Sequence, residues 1–340
     1  MNTYGNRFKI TVFGGSHEEH VGVKISGLGS GIKISSSDFE EVMHRRSFGD
    51  IPSLAFATTP RKEEDLPLFC SGIEEGITNG QTVELAFRNN NFRPQDYAPF
   101  RNHPRPSHAD FAASVKYGGQ SSLSGGGMFS GRMTAALVAA GVVAAKYIGS
   151  TAGFEPKVRA GISSIGGEPD KARWKDLLLD AMQDGDSLGG EVLCRIEGLP
   201  VGIGEPFFNS LESEIAHLAF SVPGVKGIFF GDFSDLPAPL RKASSLRGSQ
   251  FNDLIINSKG ETATNHSGGI NGGLSNGNPA VFTLDIRPTA SIAKPQPTFN
   301  FESGKVEELK IEGRHDVCIA LRCPVIAESI ALIALANLIC

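Results

Sequence analysis

The chain has 340 residues, of which 40% are apolar and 20% charged, so it can bury a large core and is not globally disordered. Its formal net charge of −5 argues against broad nucleic-acid binding, which needs a basic surface. The five cysteines include no CxxC pair, and the first ten residues carry no apolar segment. We therefore expect neither a zinc or disulfide framework nor a signal peptide, and we predict a cytoplasmic location.

The pattern of apolar residues predicts strands and helices in mixed order. Strands are predicted at 8–14, 21–26, 69–73, 83–88, 160–164, 191–197, 226–231 and 280–286, and helices at 37–45, 112–117, 130–147, 209–219 and 326–338. Ser37 and Glu40 have capping-box spacing, and the proline-punctuated segment 50–66 is expected to be an extended loop. The apolar segment 324–340 is too short to span a bilayer and contains Glu328, which favours a buried helix. The lack of a clean βαβ alternation predicts an α+β fold, with one domain over 1–340.

Three short segments each place a histidine among residues that bind anions. They are Phe-Gly-Gly-Ser-His at 13–17, Arg-Pro-Ser-His-Ala-Asp at 105–110 and Gly-Arg-His-Asp at 313–316. Histidine has an unperturbed pKa near working pH, and the planar guanidinium of arginine fits phosphate and carboxylate. The three segments together predict proton transfer on an anionic substrate.

Each histidine segment also has a simpler interpretation. His17, which follows a tight turn, is either a general acid or a solvated loop residue. Asp110 either orients the imidazole of His108 or caps a helix. The segment 313–316 is also compatible with a solvated charged loop.

Two glycine-rich segments predict close approach of the backbone to a partner. The run at 124–130 precedes a long predicted helix, where backbone N–H groups bind phosphate, although a close-packed helix entry explains it equally well. No Walker lysine follows it. The segment 265–279 either wraps a cofactor or forms a mobile loop. The hydroxyls and the two cations Arg287 and Lys294 just downstream favour a phosphate contact.

Taken in order, these motifs resemble the chorismate synthase family over nearly the whole chain. The family's FGESHG is similar to residues 13–18, its RRRPG to 45–49 and its RPSHAD to 105–110. Its GGGRSSAR is similar to 125–132, its GGISNG to 272–277, its PTSSI-K-PQ to 288–296 and its GRHDPC to 313–318. Each motif is weak alone, and the ordered set is specific.

This resemblance implies a lyase of the shikimate pathway, which makes the precursor of aromatic amino acids. The reaction is a 1,4-anti elimination of phosphate from 5-enolpyruvylshikimate 3-phosphate to give chorismate. It needs reduced FMN, supplied by NADPH- or NADH-dependent reduction, although there is no net redox change. The resemblance also implies a homotetramer and a β-α-β sandwich with helices between antiparallel sheets. Nucleic acid, membrane and metal are not expected as partners.

The resemblance also implies roles for individual residues. Three are catalytic: the acid for the departing phosphate is His17, the residue that holds the flavin's protonation state is His108, and the residue that helps remove the ring proton is Asp316. The substrate-binding residues are Arg45, Arg46, Arg105, Arg132, Arg314 and Arg322. The cofactor-binding residues are Ser130, Gly272, Arg287, Pro288, Thr289, Ala290, Ser291, Lys294 and Arg314. On this interpretation His315 is only a spacer.

Several positions depart from the family pattern, mostly around the expected flavin. Gly15 replaces Glu, Met128-Phe129 replace Arg-Ser, Met133 replaces Glu, Pro223-Gly224 replace Asn-Ala, and Val317 replaces Pro. Each lost charge-assisted contact costs about 1.5–3 kcal/mol. The departures keep two alternatives open: a paralogue acting on another phosphorylated anion, and a non-catalytic flavin- or anion-binding protein.

Overall fold

The computed structural model describes residues 2–59, 65–89, 100–119, 124–237, 240–313 and 315–339. The strands in these ranges are β1 (Thr3–Tyr4), β2 (Lys9–Gly14), β3 (His20–Ser26), β4 (Ser30–Lys33), β5 (Leu68–Ser71), β6 (Ile73–Glu74), β7 (Ile77–Asn79), β8 (Val83–Arg88), β9 (Lys157–Ile165), β10 (Gly190–Glu197), β11 (Val225–Phe230), β12 (Ile270–Asn271), β13 (Leu274–Ser275), β14 (Ala280–Ile286), β15 (Gln296–Asn300) and β16 (Lys305–Leu309). The helices are α1 (Ser37–Phe48), α2 (Asp110–Lys116), α3 (Thr134–Thr151), α4 (Lys171–Gln183), α5 (Leu211–Ser221), α6 (Gly248–Phe251) and α7 (Cys323–Leu338).

Two antiparallel sheets form the outer layers of the fold. The first has the order β1-β2-β3-β8-β5, and the second has the order β11-β14-β10-β9. In the first sheet β2 pairs with β3 so that Val12 lies opposite Val23, and in the second β10 pairs with β14 so that Cys194 lies opposite Phe282. A β-bulge between Glu191 and Val192 shifts the register of β10 against β9.

The apolar helices α3 and α7 lie between the two sheets. Helix α3 contacts β3 of the first sheet, α7 contacts β9 and β10 of the second, and the two helices pack against each other. Gly141 permits this packing, because a Cβ there would lie 2.6 Å from Ser329 Cβ. A single hydrophobic cluster joins side chains of both sheets and both helices, which confirms the predicted α+β fold with helices between antiparallel sheets.

The predicted C-terminal helix is confirmed as a buried helix. The segments Gly131–Thr151 and Ile319–Leu338 are long and apolar enough to cross a membrane, yet 78% of each apolar window is buried inside the fold. Two buried helices of this kind are typical of a protein core.

Local details differ from the sequence predictions. The capping box does not form, because the N-cap of α1 is Ser36 and Asp38 instead accepts a bond from the amide of Ser35 at 2.8 Å. Helix α4 and the hairpin β15–β16 were not predicted. The segment expected to be an extended loop at 50–66 contains a 3-10 helix over Pro52–Ala57.

Candidate active site

A cavity of about 270 Å³ brings together distant parts of the chain. Segments near residues 46, 59, 65, 105–108, 129–134, 223–224, 287–291 and 315–326 line it. The lining includes eleven of the residues that the sequence predicts for a site: Arg46, Arg105, His108, Ser130, Arg132, Arg287, Thr289, Ala290, Ser291, Asp316 and Arg322.

His108 is oriented by a buried carboxylate at the start of α2. The Nδ1–H of His108 donates to Asp110 Oδ1 at 2.6 Å, because a carboxylate can only accept. Arg105 donates to the same carboxylate from Nε at 2.7 Å and from Nη2 at 2.8 Å. Burial alone would raise the pKa of Asp110, but the bonds from Arg105 and His108 outweigh it and hold that pKa well below its usual range. Asp110 therefore orients the imidazole, while the N-cap of α2 is Ala109.

Arg46 and Arg132 share one buried carboxylate. Arg46 Nη1 donates to Asp65 Oδ2 at 2.6 Å, and Arg132 Nη1 donates to Asp65 Oδ1. The hydroxyl of Ser47 also donates to Oδ2, at 2.7 Å. Burial raises the pKa of Asp65, and the charges of the two arginines more than offset this, so the pKa is lowered. The carboxylate therefore fixes two cations side by side on the cavity wall.

Asp316 lines the cavity from the segment before α7. Its Oδ1 accepts from the amide and the hydroxyl of Thr59, both at 2.6 Å, and from Arg322 Nη2 at 3.0 Å. Arg322 is held in turn, since its Nη1 donates to the carbonyl of Ser47 at 2.6 Å. Burial would raise the pKa of Asp316, but Arg322 and Thr59 together lower it.

Among the arginines that line the cavity, Arg287 has the fewest hydrogen-bond and ion-pair partners in the described part of the chain. Its backbone amide donates to the carbonyl of Gly224 at 2.9 Å, and its guanidinium has no hydrogen-bond or ion-pair partner among the described residues. Burial lowers its pKa. The described lining of the cavity contains five arginines and only two aspartates, Asp65 and Asp316. It therefore carries excess positive charge and suits an anion.

The glycine-rich run lies against His108 and the His17 turn. Gly126 has φ +93°, and a Cβ there would lie 3.5 Å from His108 Nε2. The carbonyl of Gly127 accepts from the amide of Ser16 at 3.2 Å. His17 itself is buried rather than solvated, and its Nδ1 is hydrogen-bonded to the Ser16 hydroxyl at 3.0 Å.

Five predicted residues do not line the cavity, for local geometric reasons. His17 lies in the turn whose Ser16 amide donates to the carbonyl of Gly127. Arg45 points about 100° from Arg46 around α1 and pairs with Asp50 and Glu328 instead. The other three are Gly272 in the turn between β12 and β13, Pro288 packed on Gly189, and Lys294 paired with Asp184 and Asp186. None of these five residues lines the cavity in one chain, so their contact with a ligand stays a prediction, and Arg314 lies outside the described residues.

Some lining residues were not predicted from the sequence. Thr59 and Asp65 lie in a segment expected to be an extended loop, and His315, interpreted as a spacer, lines the cavity. Asp65 follows two glutamates in a charged run, and nothing in that pattern distinguishes it. Only the folded chain shows that it is buried between two arginines.

Comparison with known proteins shows which family the chain belongs to. The family model described as "Chorismate synthase" matches residues 8–340. The chain belongs to the chorismate synthase family. The chain is 47% identical to the chorismate synthase of Chitinophaga pinensis and 39% identical to that of Dehalococcoides mccartyi. Each alignment covers 99% of this chain and 96% of the relative. A solved structure described as "Crystal Structure of Chorismate Synthase" shares the fold, with a TM-score of 0.72 and 20% identity, covering 98% of this chain and 92% of that one.

Membership of the chorismate synthase family implies a flavin, and the cavity has features that fit one. Phe129, Pro223 and Ile319 give the cavity lining apolar surface, and Gly224 has φ +98°, a backbone conformation that favours glycine. The guanidinium of Arg287 supplies a cation for a phosphate group. The residues present therefore fit a flavin bearing a phosphate.

Most of the departures from the chorismate synthase pattern line one of two cavities. Phe129, Pro223 and Gly224 line the main cavity, whereas Met128 and Met133 line an adjoining cavity of about 260 Å³. Val317 is outside both, and its amide donates to the carbonyl of Ala57 at 2.9 Å, a bond that the family's proline cannot make. The departures that line the main cavity thus change the chemistry of its lining.

Proposed function

We propose that the chain converts 5-enolpyruvylshikimate 3-phosphate to chorismate and phosphate with reduced FMN. Membership of a family of chorismate-forming lyases supports the reaction. The observation that carries the assignment of the site is the convergence of five arginines, His108 and Asp316 on one cavity. A substrate with a phosphate and two carboxylates requires such an excess of positive charge.

Arg46 and Arg132 hold the anionic groups of the substrate. Because Asp65 fixes both guanidinium groups, little side-chain freedom is lost when the substrate binds. Arg105, held by Asp110, adds a third oriented cation. Cations placed around a leaving phosphate stabilise the charge that develops as the C–O bond breaks.

His17 and Asp316 are the proposed proton-handling residues. His17 is buried beside Ser16, and its turn is joined to the cavity by Asn89, whose side chain donates to the carbonyl of Gly15 at 3.0 Å and accepts from Arg132 Nε at 3.1 Å. A proton from His17 would neutralise the departing phosphate. Asp316 keeps a charged carboxylate at the cavity and assists removal of the ring proton.

The segment Arg287–Ser291 would hold FMN against the wall formed by Phe129, Pro223 and Gly224. When bound, reduced FMN supplies the redox-active group that the elimination needs, although the elimination involves no net redox change. His108, oriented by Asp110, presents Nε2 toward the glycine run and would hold a proton at the flavin. NADPH or NADH is the proposed source of reducing equivalents.

We also propose a cytoplasmic homotetramer in which each chain is one domain of residues 1–340. The single hydrophobic cluster supports the one-domain assignment. An exposed apolar surface supports self-association, because monomers rarely expose large apolar patches. It includes Phe207 and Phe208, which are 85% and 90% exposed.

The test is an anaerobic assay of the purified chain with the enolpyruvyl substrate and chemically reduced FMN. We expect equal amounts of chorismate and phosphate, with product lost in His17→Ala and Asp316→Ala. Folded protein that yields no chorismate at any flavin concentration would overturn the proposal. Phosphate release from other cyclic phosphates alone would indicate a paralogue, and flavin binding without turnover would indicate a non-catalytic protein.

A further inference from the structure

All described contacts to the carboxylate of Asp316 converge on one of its oxygens. The amide of Thr59, the hydroxyl of Thr59 and Arg322 Nη2 each donate to Oδ1, at 2.6, 2.6 and 3.0 Å. No described residue donates to Oδ2, although Asp316 lines the cavity. The arrangement anchors one oxygen and presents the other to the cavity.

Thr59 donates more of the hydrogen bonds to this carboxylate than Arg322 does. It supplies two of the three donors, and its carbonyl also accepts from Arg322 Nη2 at 3.1 Å. It therefore holds both the carboxylate and the cation beside it. Its backbone position is fixed through the preceding residues, since the carbonyl of Ala57 accepts from the amide of Val317 at 2.9 Å.

We propose that Thr59 is a positioning residue that holds Asp316 ionised and directs Oδ2 into the cavity. Its importance for proton removal rests on the proposed function, whereas its control of the carboxylate does not. A hydrogen bond to the charged form of a carboxylate favours that form, so loss of the Thr59 hydroxyl must raise the pKa of Asp316.

Other charged and titratable groups surround Asp316 and set the background for this effect. Arg322 at the start of α7 favours the carboxylate, and Arg287 lies across the same cavity. Cys318 and Cys323 are neutral thiols, because burial raises their pKa values to about 11 and about 12. His315 is adjacent in the chain, and from the 287–291 segment Thr289 donates to the carbonyl of Asp316, not its carboxylate, at 2.7 Å. Changing the Thr59 side chain leaves these groups in place and removes only one further contact, a long bond of 3.4 Å from Arg322 Nη2 to the Thr59 hydroxyl.

The experiment compares the carboxylate of Asp316 in wild type, Thr59→Val and Thr59→Ser. Val keeps the shape and loses the hydroxyl, and Ser keeps the hydroxyl. Selective ¹³C labelling of aspartate, with Asp316→Asn to assign the signal, follows protonation by NMR down to the pH at which the chain unfolds. We expect Thr59→Val to raise the pKa of Asp316 by about one unit and Thr59→Ser to leave it near the wild-type value.

Kinetics of the reduced, flavin-loaded enzyme give the second measurement. We expect Thr59→Val to lower kcat about tenfold to a hundredfold with little change in KM, and to move the acid limb of the kcat profile to higher pH. Thr59→Ser should restore both. Thr59→Ala replaces Thr59→Val if the latter does not fold.

An unchanged Asp316 titration in folded Thr59→Val, or an equal shift in Thr59→Ser, would overturn the proposal. Failure of the proposed function can be distinguished from failure of the Thr59 proposal. In the first case wild type would make no chorismate, while the NMR titration would still report the effect of Thr59 on Asp316.

Discussion

The half-buried imidazole of His108 and the buried carboxylate of Asp110 form a pair, with 2.6 Å between Nδ1 and Oδ1. Because Nδ1 carries the proton, Nε2 is left to face the glycine run at Gly126. This arrangement gives the histidine one defined tautomer and one orientation. A carboxylate behind a histidine is the arrangement expected of a residue that exchanges a proton with a ligand.

Asp110→Asn tests that pair. The amide cannot enforce the same tautomer, so we expect kcat for chorismate formation to fall by about 10²-fold or more, measured anaerobically with reduced FMN. Asp235→Asn is the matched control. Asp235 also pairs with a histidine, since its Oδ1 lies 3.2 Å from Nε2 of His266, but neither residue lines the cavity. Equal losses in the two variants would show that the effect is not specific to His108.

The stability of the chain should fall in acid. The pKa values of Asp65, Asp110 and Asp316 are all lowered in the folded state. Each contributes stability that is fully present above its unfolded pKa of about 4 and is lost as pH falls through the lower folded value. Denaturant unfolding should give a lower free energy of unfolding near pH 3 than at pH 6. The difference between the two pH values should be smaller in Asp110→Asn than in wild type. A free energy of unfolding that is flat across this range would contradict the expectation.

Asp65 should matter for folding as well as for binding. Asp65→Asn leaves Arg46 and Arg132 side by side without their shared anion, and breaking a buried pair in this way costs about 3–5 kcal/mol. Urea unfolding measures the change. Asp184→Asn is the control, because it removes an exposed partner of Lys294, and we expect little change in stability.

Arg287 should contribute mainly to flavin binding. Because its guanidinium has no partner among the described residues, Arg287→Gln disrupts no internal ion pair there, and we expect unchanged thermal stability with about tenfold to a hundredfold weaker binding of FMN. Fluorescence titration of FMN measures the affinity. Arg173→Gln, which removes the exposed partner of Glu168, is expected to bind FMN as wild type does. Wild-type affinity in Arg287→Gln would place the flavin phosphate elsewhere.

The cysteines should differ sharply in reactivity. Cys70 is exposed, whereas Cys194, Cys318 and Cys323 are buried and burial raises their pKa values. In a Cys340→Ser variant we expect a thiol reagent at pH 8 to label one cysteine per native chain and four after unfolding. Fast labelling of more than one cysteine in the native chain would show that the core around the buried cysteines opens.

Much of the fold was predictable from the sequence because local patterns specify it. The apolar run at 324–340 predicts a buried helix, and α7 is one. Alternating and β-branched residues at 280–286 predict a strand, and β14 spans those residues. The order of the motifs identified the family, and His108, Arg105 and Asp110 were recognised as a group because they lie within six residues.

Contacts between distant segments were decided only by the tertiary structure. Thr59 and Asp316 are 257 residues apart, and Asp65 lies between two arginines whose own spacing is 86 residues. No local pattern records such contacts, because they depend on how two sheets close over α3 and α7. The sequence by itself determined which residue types are available for anion and proton chemistry. The packing of the sandwich decided which of them face the cavity, and turned Arg45 and Lys294 toward carboxylates elsewhere.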